Sequence, residues 1–401
     1  MNSFKLLTLV LFCSFILTSC NGQKAQLPKP SGEYSIGLDY LSLTDSSRKE
    51  LFDNTQNSYR DLTVKIWYPS DKKTKYEPYL ENVEFAINNF GFPEVYRNLM
   101  TNSCKGVPMS RAEKSFPVLI FSHGWGEHFS QNTILMEELA SHGYIVFSIG
   151  HHYESKFSFY PDGTIITMDN SSKRFIQLMN EQQKPEAVEV YRKMFQTNSD
   201  SERLQIFVNT SNLMPTLLKE SPKYWAEDIN ILINELDSIN NTNSILKNKL
   251  NLNLIGVFGM SMGGIATNEV CIDNRFVKAG VNIDGGIYGS LIDTLINKPF
   301  MFINSQRYLG YGNLFINKSS LNDCYSVTVK NSDHYNFTDY ALYPNRSNMM
   351  VGTIDAKIPI EFMNSMILSF FNFYLKQSNK NDLNKTANKY DIEFVSGNKN
   401  N

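Results

Sequence analysis

A serine between two glycines is the first place in this chain where residue type and spacing could do chemistry. Gly259-Met260-Ser261-Met262-Gly263 stands between 251–257, which reads as a buried strand, and a stretch from 265 to 271 with the composition of a helix start. A strand that turns directly into a helix leaves no room for Cβ atoms beside the turn, so glycines there are a steric requirement. Such a turn lifts Ser261 Oγ above the sheet edge and aims backbone N–H groups at the group it attacks. That suits acyl transfer through a covalent serine ester. With 22 glycines in the chain the pattern arises easily by chance, so its partners must decide.

A serine nucleophile needs a base, and the base needs a carboxylate to orient it. Where the nucleophile sits on a strand-to-helix elbow, as in α/β-hydrolases, the chain order is serine, acid, histidine. Of the six histidines, His123, His128, His142, His151, His152 and His334, only His334 follows Ser261. It lies in Ser332-Asp333-His334-Tyr335, just past the alternating run 324–330, where the base loop belongs. The acid is less constrained, because Glu269, Asp273, Asp284, Asp293, Asp323 and Asp333 all lie between the two. Glu269 and Asp273 fall on the helix behind the serine, Asp333 is adjacent to the histidine, and 306–322 carries no carboxylate. Asp284, at the end of run 277–284 and followed by two glycines, is the best remaining candidate. An oxyanion hole would take one N–H from the residue after the nucleophile and one from the turn after an earlier strand. Those are Met262 and Trp125, the latter in Ser122-His123-Gly124-Trp125-Gly126. His123 is read as a prop for that turn rather than as a catalytic group.

The elements that must position these residues alternate. Run 116–121 is continuously apolar, as a strand buried on both faces should be. A helical stripe over 133–141 and a second strand, 144–149, follow, giving a strand–helix–strand unit and hence a parallel sheet. Residues 61–69 alternate and end at Pro69, which predicts an antiparallel strand with one wet face. An aromatic stretch with Phe85, Phe90, Phe92 and Tyr96 is placed near the mouth of the site. From 152 to 221 the sequence is polar and helix-prone without strand runs, a cap insertion that would shape specificity. A helix opens at Ser221-Pro222 with Trp225, Ile229, Leu232 and Leu236 on one face. Strands at 299–305 and 324–330 and a closing helix at 358–375 complete the expected fold. The class is α/β: a mostly parallel central sheet flanked by helices, over 32–376, with a helical cap at 152–221.

At 401 residues the chain suits one large domain with insertions, and a net charge of −2 with interspersed signs suggests no nucleic-acid partner. The N-terminus differs in kind. One lysine, an apolar run from 6 to 17 and Leu17-Thr18-Ser19-Cys20 resemble a bacterial lipoprotein signal, with Cys20 acylated as the first mature residue. The run is too short for a bilayer core of about 30 Å. We therefore expect a signal peptide at 1–19, a tether at 20–31, a polar, loosely ordered tail at 377–401, and a lipid-anchored place in a bacterial cell envelope. Cys104, Cys271 and Cys324 allow at most one disulfide and lack metal-ligand spacing with a histidine. Neither metal nor organic cofactor is expected.

Taken together these segments resemble the platelet-activating factor acetylhydrolases, phospholipase A2 enzymes of α/β-hydrolase fold. The resemblance runs through Ile66-Trp67-Tyr68-Pro69, Phe121-Ser122-His123-Gly124, Ala140-Ser141-His142-Gly143-Tyr144, Gly259-Met260-Ser261-Met262-Gly263-Gly264, Asn282-Ile283-Asp284, Phe302-Ile303-Asn304-Ser305 and His334-Tyr335-Asn336-Phe337, most of 60–345. It implies Ser261 as nucleophile, His334 as base, Asp284 as the orienting acid, and Trp125 and Met262 N–H groups at the oxyanion. The implied substrate is a phospholipid with a short or oxidised sn-2 acyl group. Met260 and Met262 depart from the family, which often has histidine before the serine or phenylalanine after it; this alters the pocket wall and leaves backbone donors intact. A general carboxylesterase or polyester or dienelactone hydrolase shares the same pattern, and a catalytically silent binding domain is the alternative of another class.

Overall fold

In the computed structural model the described residues are 25–196, 199–321, 323–342, 350–379 and 381–397. Strands β1 (Ser35–Lys49) and β2 (Tyr59–Ser70) open the chain, followed by helix α1 (Val83–Phe90) and a short β3 (Ser103–Lys105). Next come β4 (Phe116–Ser122), α2 (Thr133–Ser141) and β5 (Ile145–His151). The cap holds β6 (Phe157–Phe159), β7 (Ile165–Thr167), α3 (Lys173–Gln182), α4 (Pro185–Gln196), α5 (Asp200–Asn209) and α6 (Thr216–Lys219). The chain then runs through α7 (Ser221–Thr242), β8 (Leu250–Met260), α8 (Met262–Asp273), β9 (Val277–Ile283), β10 (Phe300–Asn304), α9 (Gly312–Ile316) and β11 (Cys324–Val329). It closes with α10 (Lys357–Lys376), α11 (Asn381–Ala387) and β12 (Ile392–Ser396).

Ten strands form one sheet in the order β12-β11-β10-β9-β8-β4-β5-β2-β1-β3. The six from β11 to β5 are mutually parallel, and β12, β2 and β1 each run antiparallel to a neighbour. This is the expected mostly parallel α/β sheet. The two faces feed separate cores, which is why β4 reads as an unbroken apolar run. Val118 and Ile120 pack with Trp225, Ile229 and Leu232 of α7, while Leu119 and Phe121 pack with α2 and with Met366 and Phe370 of α10. No helix among the described residues is long and apolar enough to cross a membrane, α10 included.

Several expectations are corrected. The wet face predicted for 61–69 is dry, because Lys65 is buried and donates to Glu81 (2.5 Å) and Ser130 (3.0 Å). A 15-residue strand, β1, precedes it and was not foreseen. The cap contains a small antiparallel hairpin, β6 with β7, where no strand was expected. The supposedly loose tail folds into α11 and β12, and β12 covers the edge of β11 with Phe394 stacked on Tyr325 at 6.0 Å. Of the predicted tether, residues 25–31 are held to the body: Leu27 is buried and Ser31 N–H donates to Glu138. The aromatic stretch is packing rather than mouth, since Phe92 and Tyr96 are buried and Phe90 leans on Phe157 at 5.5 Å. Cys104, Cys271 and Cys324 are buried free thiols, and the signal segment and Cys20 lie outside the described residues.

Candidate active site

The turn from β8 into α8 puts Ser261 at φ 57° and ψ −119°. A non-glycine residue held there costs roughly 1–3 kcal/mol of strain. Its surroundings explain why glycine flanks it. A Cβ on Gly259 would lie 2.2 Å from Gly263 O, and one on Gly263 would lie 2.0 Å from Ser122 O. Backbone bonds hold the turn from both sides: Ser261 N–H donates to Ile283 O (2.8 Å) and Gly263 N–H to His123 O (3.1 Å).

Asp284 follows β9 and is itself at φ 52°. Its N–H donates to Ile303 O (2.7 Å), which turns the side chain toward the loop after β11. There Asp284 Oδ2 meets His334 Nδ1 at 2.6 Å, and Oδ1 accepts from Ser305 N–H at 2.7 Å. A carboxylate only accepts, so His334 Nδ1 donates and Nε2 is left free to take a proton. Burial by itself would raise the Asp284 carboxyl; the bonds from His334 and Ser305 and the nearby Arg307 guanidinium overcome it and hold it below the ordinary range. The histidine loop is fixed by Asp333, which accepts from His334 N–H (2.7 Å) and pairs with Arg307 (2.7 Å). Asp333, set aside in the sequence because it adjoins the histidine, serves the loop.

Ser261 and His334 are each partly exposed, whereas Asp284 is buried. No hydrogen bond joins Ser261 to His334 in this structure, a contact that in such sites tightens when substrate is bound. Among the described residues the N–H groups of Trp125 and Met262 donate to no protein acceptor, and a Cβ on Gly124 would lie 3.4 Å from Ser261 Cβ. Met262 adjoins the serine in the chain, and Gly124, the residue before Trp125, lies against it. His123 is fully buried with Nδ1 2.7 Å from Gly124 O, the prop that sequence suggested. Sequence did not single out Glu127 and Tyr335. Tyr335 donates to Glu127 at 2.9 Å, tying the residue after the histidine to the turn that carries Trp125. The cap closes over the same turn, with Trp125 stacked on Phe175 at 5.9 Å. Among the described residues no group of three or more histidine, cysteine, aspartate or glutamate side chains is arranged to hold a metal ion.

Comparison with known proteins bears on the family and the fold. The family model for platelet-activating factor acetylhydrolase, isoform II, matches residues 19–394. The chain belongs to the platelet-activating factor acetylhydrolase family. It is 22% identical to the bovine (Bos taurus) platelet-activating factor acetylhydrolase over 384 residues, covering 90% of this chain and 80% of that protein. The chicken (Gallus gallus) enzyme is 24% identical, with 90% and 86% covered. A probable 1-alkyl-2-acetylglycerophosphocholine esterase of Arthroderma benhamiae is 21% identical, with 91% and 92% covered. In fold the chain is similar to a ferulic acid esterase from Streptomyces cinnamoneus, with a TM-score of 0.67, 18% identity, and 93% of this chain and all of that one covered. The protein is a carboxylic ester hydrolase of α/β-hydrolase fold.

The Asp284 pairing makes a stability prediction whose sign is fixed. A carboxyl held low in the folded state contributes stability above its unfolded value, 3.8, and loses it as pH falls through the folded value. Asp284→Asn should therefore be less stable than the wild type at pH 7 in urea denaturation, and the gap should narrow below about pH 4. A gap that stays constant or widens in acid would mean that Asp284 is not held ionised by its partners.

Proposed function

We propose that this enzyme hydrolyses short or oxidised acyl groups at the sn-2 position of phospholipids, with Ser261 as nucleophile. The observation that carries the proposal is the Asp284–His334 pair at 2.6 Å, with Gly285, the residue after Asp284, packed against the backbone of a serine held on a strained strand-to-helix turn. His334 Nε2 takes the Ser261 proton as Oγ attacks the acyl carbonyl. The new C–O bond turns the carbonyl into an oxyanion, which the N–H groups of Trp125 and Met262 stabilise. Collapse breaks the bond to the lysophospholipid, whose alkoxide takes the proton back from His334. Water, deprotonated by the same imidazole, then cleaves the acyl-serine and restores the enzyme. Asp284 keeps the imidazole in the tautomer that accepts at Nε2 and stabilises it once charged. The names of the bovine, chicken and fungal relatives support an acetylated glycerophospholipid as substrate.

The test compares a phospholipid carrying a two-carbon sn-2 group, its long-chain analogue and p-nitrophenyl acetate. Soluble protein from Gln23 onward should prefer the short-chain phospholipid to the long one, and Ser261→Ala should lower turnover at least about 10³-fold. Activity on the nitrophenyl ester alone would leave a general esterase. Turnover that survives Ser261→Ala would remove the assignment of the nucleophile.

We further propose that Cys20 carries a lipid that holds the enzyme in the bacterial cell envelope, beside its substrate. The support is the Leu17-Thr18-Ser19-Cys20 sequence after a short apolar run. In a bacterial host, radiolabelled palmitate should enter the full-length chain, and Cys20→Ser should abolish that labelling and shift the protein to the soluble fraction. Labelling that persists in the variant would place any lipid elsewhere.

A further inference from the structure

A second Ser–His–Asp arrangement lies behind the oxyanion turn. Ser122 Oγ is 2.8 Å from His151 Nε2, and His151 Nδ1 is 2.7 Å from Asp228 Oδ2. All three side chains are fully buried, so none can meet a substrate. The direction of each bond follows from chemistry. Asp228 only accepts, so His151 Nδ1 donates; burial pushes the imidazole down to about 4, which leaves Nε2 an acceptor for the Ser122 hydroxyl.

The far end of this relay is anchored by charge. Arg60, also fully buried, reaches Asp228 through Nη2 (2.6 Å) and Nε (3.1 Å), and Arg48 adds a contact at 2.7 Å. Glu50 pairs with Arg60 at 2.9 Å, and the Arg60 guanidinium sits 4.6 Å from the Tyr224 ring centre. Burial would raise Asp228, and the arginines with the His151 bond hold it ionised. His151 lies flat on Trp225 at 3.8 Å, so its ring plane is fixed by packing as well as by hydrogen bonds.

The near end is the last residue of β4. Three residues beyond Ser122 comes the N–H of Trp125, and Ser122 O stands where a Cβ on Gly263 would be, against the elbow. The next residue is tied to the same imidazole's backbone, because His151 N–H donates to His123 Nε2 (3.3 Å) and Ser155 Oγ meets that nitrogen at 2.9 Å. We infer that Ser122, His151 and Asp228 form a buried positioning relay that holds the Trp125 N–H at the oxyanion position. The inference rests on the active site proposed above. It assigns the relay no contact with substrate, only the placement of one donor. Misplacing a catalytic donor by a fraction of its bond length weakens it in the transition state more than in the ground state, so the loss should appear in kcat.

Oxyanion donors favour oxygen over sulfur, which accepts hydrogen bonds poorly, and this separates positioning from general damage. We would measure Ser122→Ala with p-nitrophenyl acetate and with its thionoester analogue, in which sulfur replaces the carbonyl oxygen. Folded fraction would be taken from near-ultraviolet circular dichroism. The relay predicts a fall in kcat for the oxygen ester of about tenfold, with KM within about twofold and the thionoester rate within about twofold. Ser122→Cys, which keeps a weak donor of similar size, should lie between alanine and wild type, and it decides the matter if the alanine variant does not fold. Unchanged kcat, or an equal fall for both esters, would overturn the inference. Ser261→Ala on the same esters tells the two failures apart. Abolished turnover there with wild-type behaviour in the Ser122 variants faults the relay alone, whereas surviving turnover faults the nucleophile itself.

Discussion

Ser261 is held in a backbone conformation that an L-residue adopts only when its surroundings force it, and much of the molecule is arranged to supply that force. The strain is accommodated by the absence of side chains at Gly259 and Gly263, and by bonds that reach the turn from β9 on one side and from the turn after β4 on the other. Each of those neighbours brings something with it. The end of β9 brings Asp284 and so fixes where His334 must come, while the turn after β4 brings the Trp125 N–H. The parallel order β9-β8-β4 is therefore more than a scaffold, since it sets side by side the three chain segments whose backbones lock the turn.

Among the described residues two imidazoles are bonded to an aspartate, His151 to Asp228 and His334 to Asp284, and burial separates the roles of Ser122 and Ser261. Ser122 ends a strand in ordinary extended backbone with its hydroxyl sealed under α7, and its hydrogen bond is made in the resting protein. Ser261 sits on the elbow, partly exposed, beside the Met262 N–H and with no hydrogen bond to His334. A hydroxyl that is accessible and held on a strained turn is suited to attack; one that is sealed and satisfied is suited to hold. The charged surroundings differ in the same sense. Asp228 is ringed by two arginines and cannot easily give up its geometry, whereas Asp284 has one arginine at 3.9 Å and a backbone N–H.

Much of this was legible in the sequence where the cause is local. The elbow declares itself because its glycines answer a steric demand within five residues, and β4 declares itself because both of its faces are buried. His334 follows from chain order, since no other histidine lies beyond Ser261. Asp284 was reached by elimination, because the pairing that selects it joins residues 50 positions apart across two strands. What stayed hidden is long-range. The alternation of 61–69 pointed to a wet face because nothing local announces that Lys65 will find Glu81 and Ser130 in the interior. The polar tail gave no sign that residues 392–396 would meet the edge of β11. Asp228 was readable in part: it is a charged residue on the buried face of a helix whose stripe includes Trp225 and Ile229, and such a residue must have partners. Their identity, Arg60 and His151, depends on packing that no local pattern carries.

The central claim is that Ser261, and no other hydroxyl, becomes acylated during turnover. Incubating the enzyme with an alkyl fluorophosphonate and mapping the adduct by peptide mass spectrometry tests it directly. One phosphonyl group per chain on the peptide containing Ser261, with activity lost in proportion, is the predicted result. A stoichiometric adduct on a different serine, or full inactivation with Ser261 unmodified, would contradict the account.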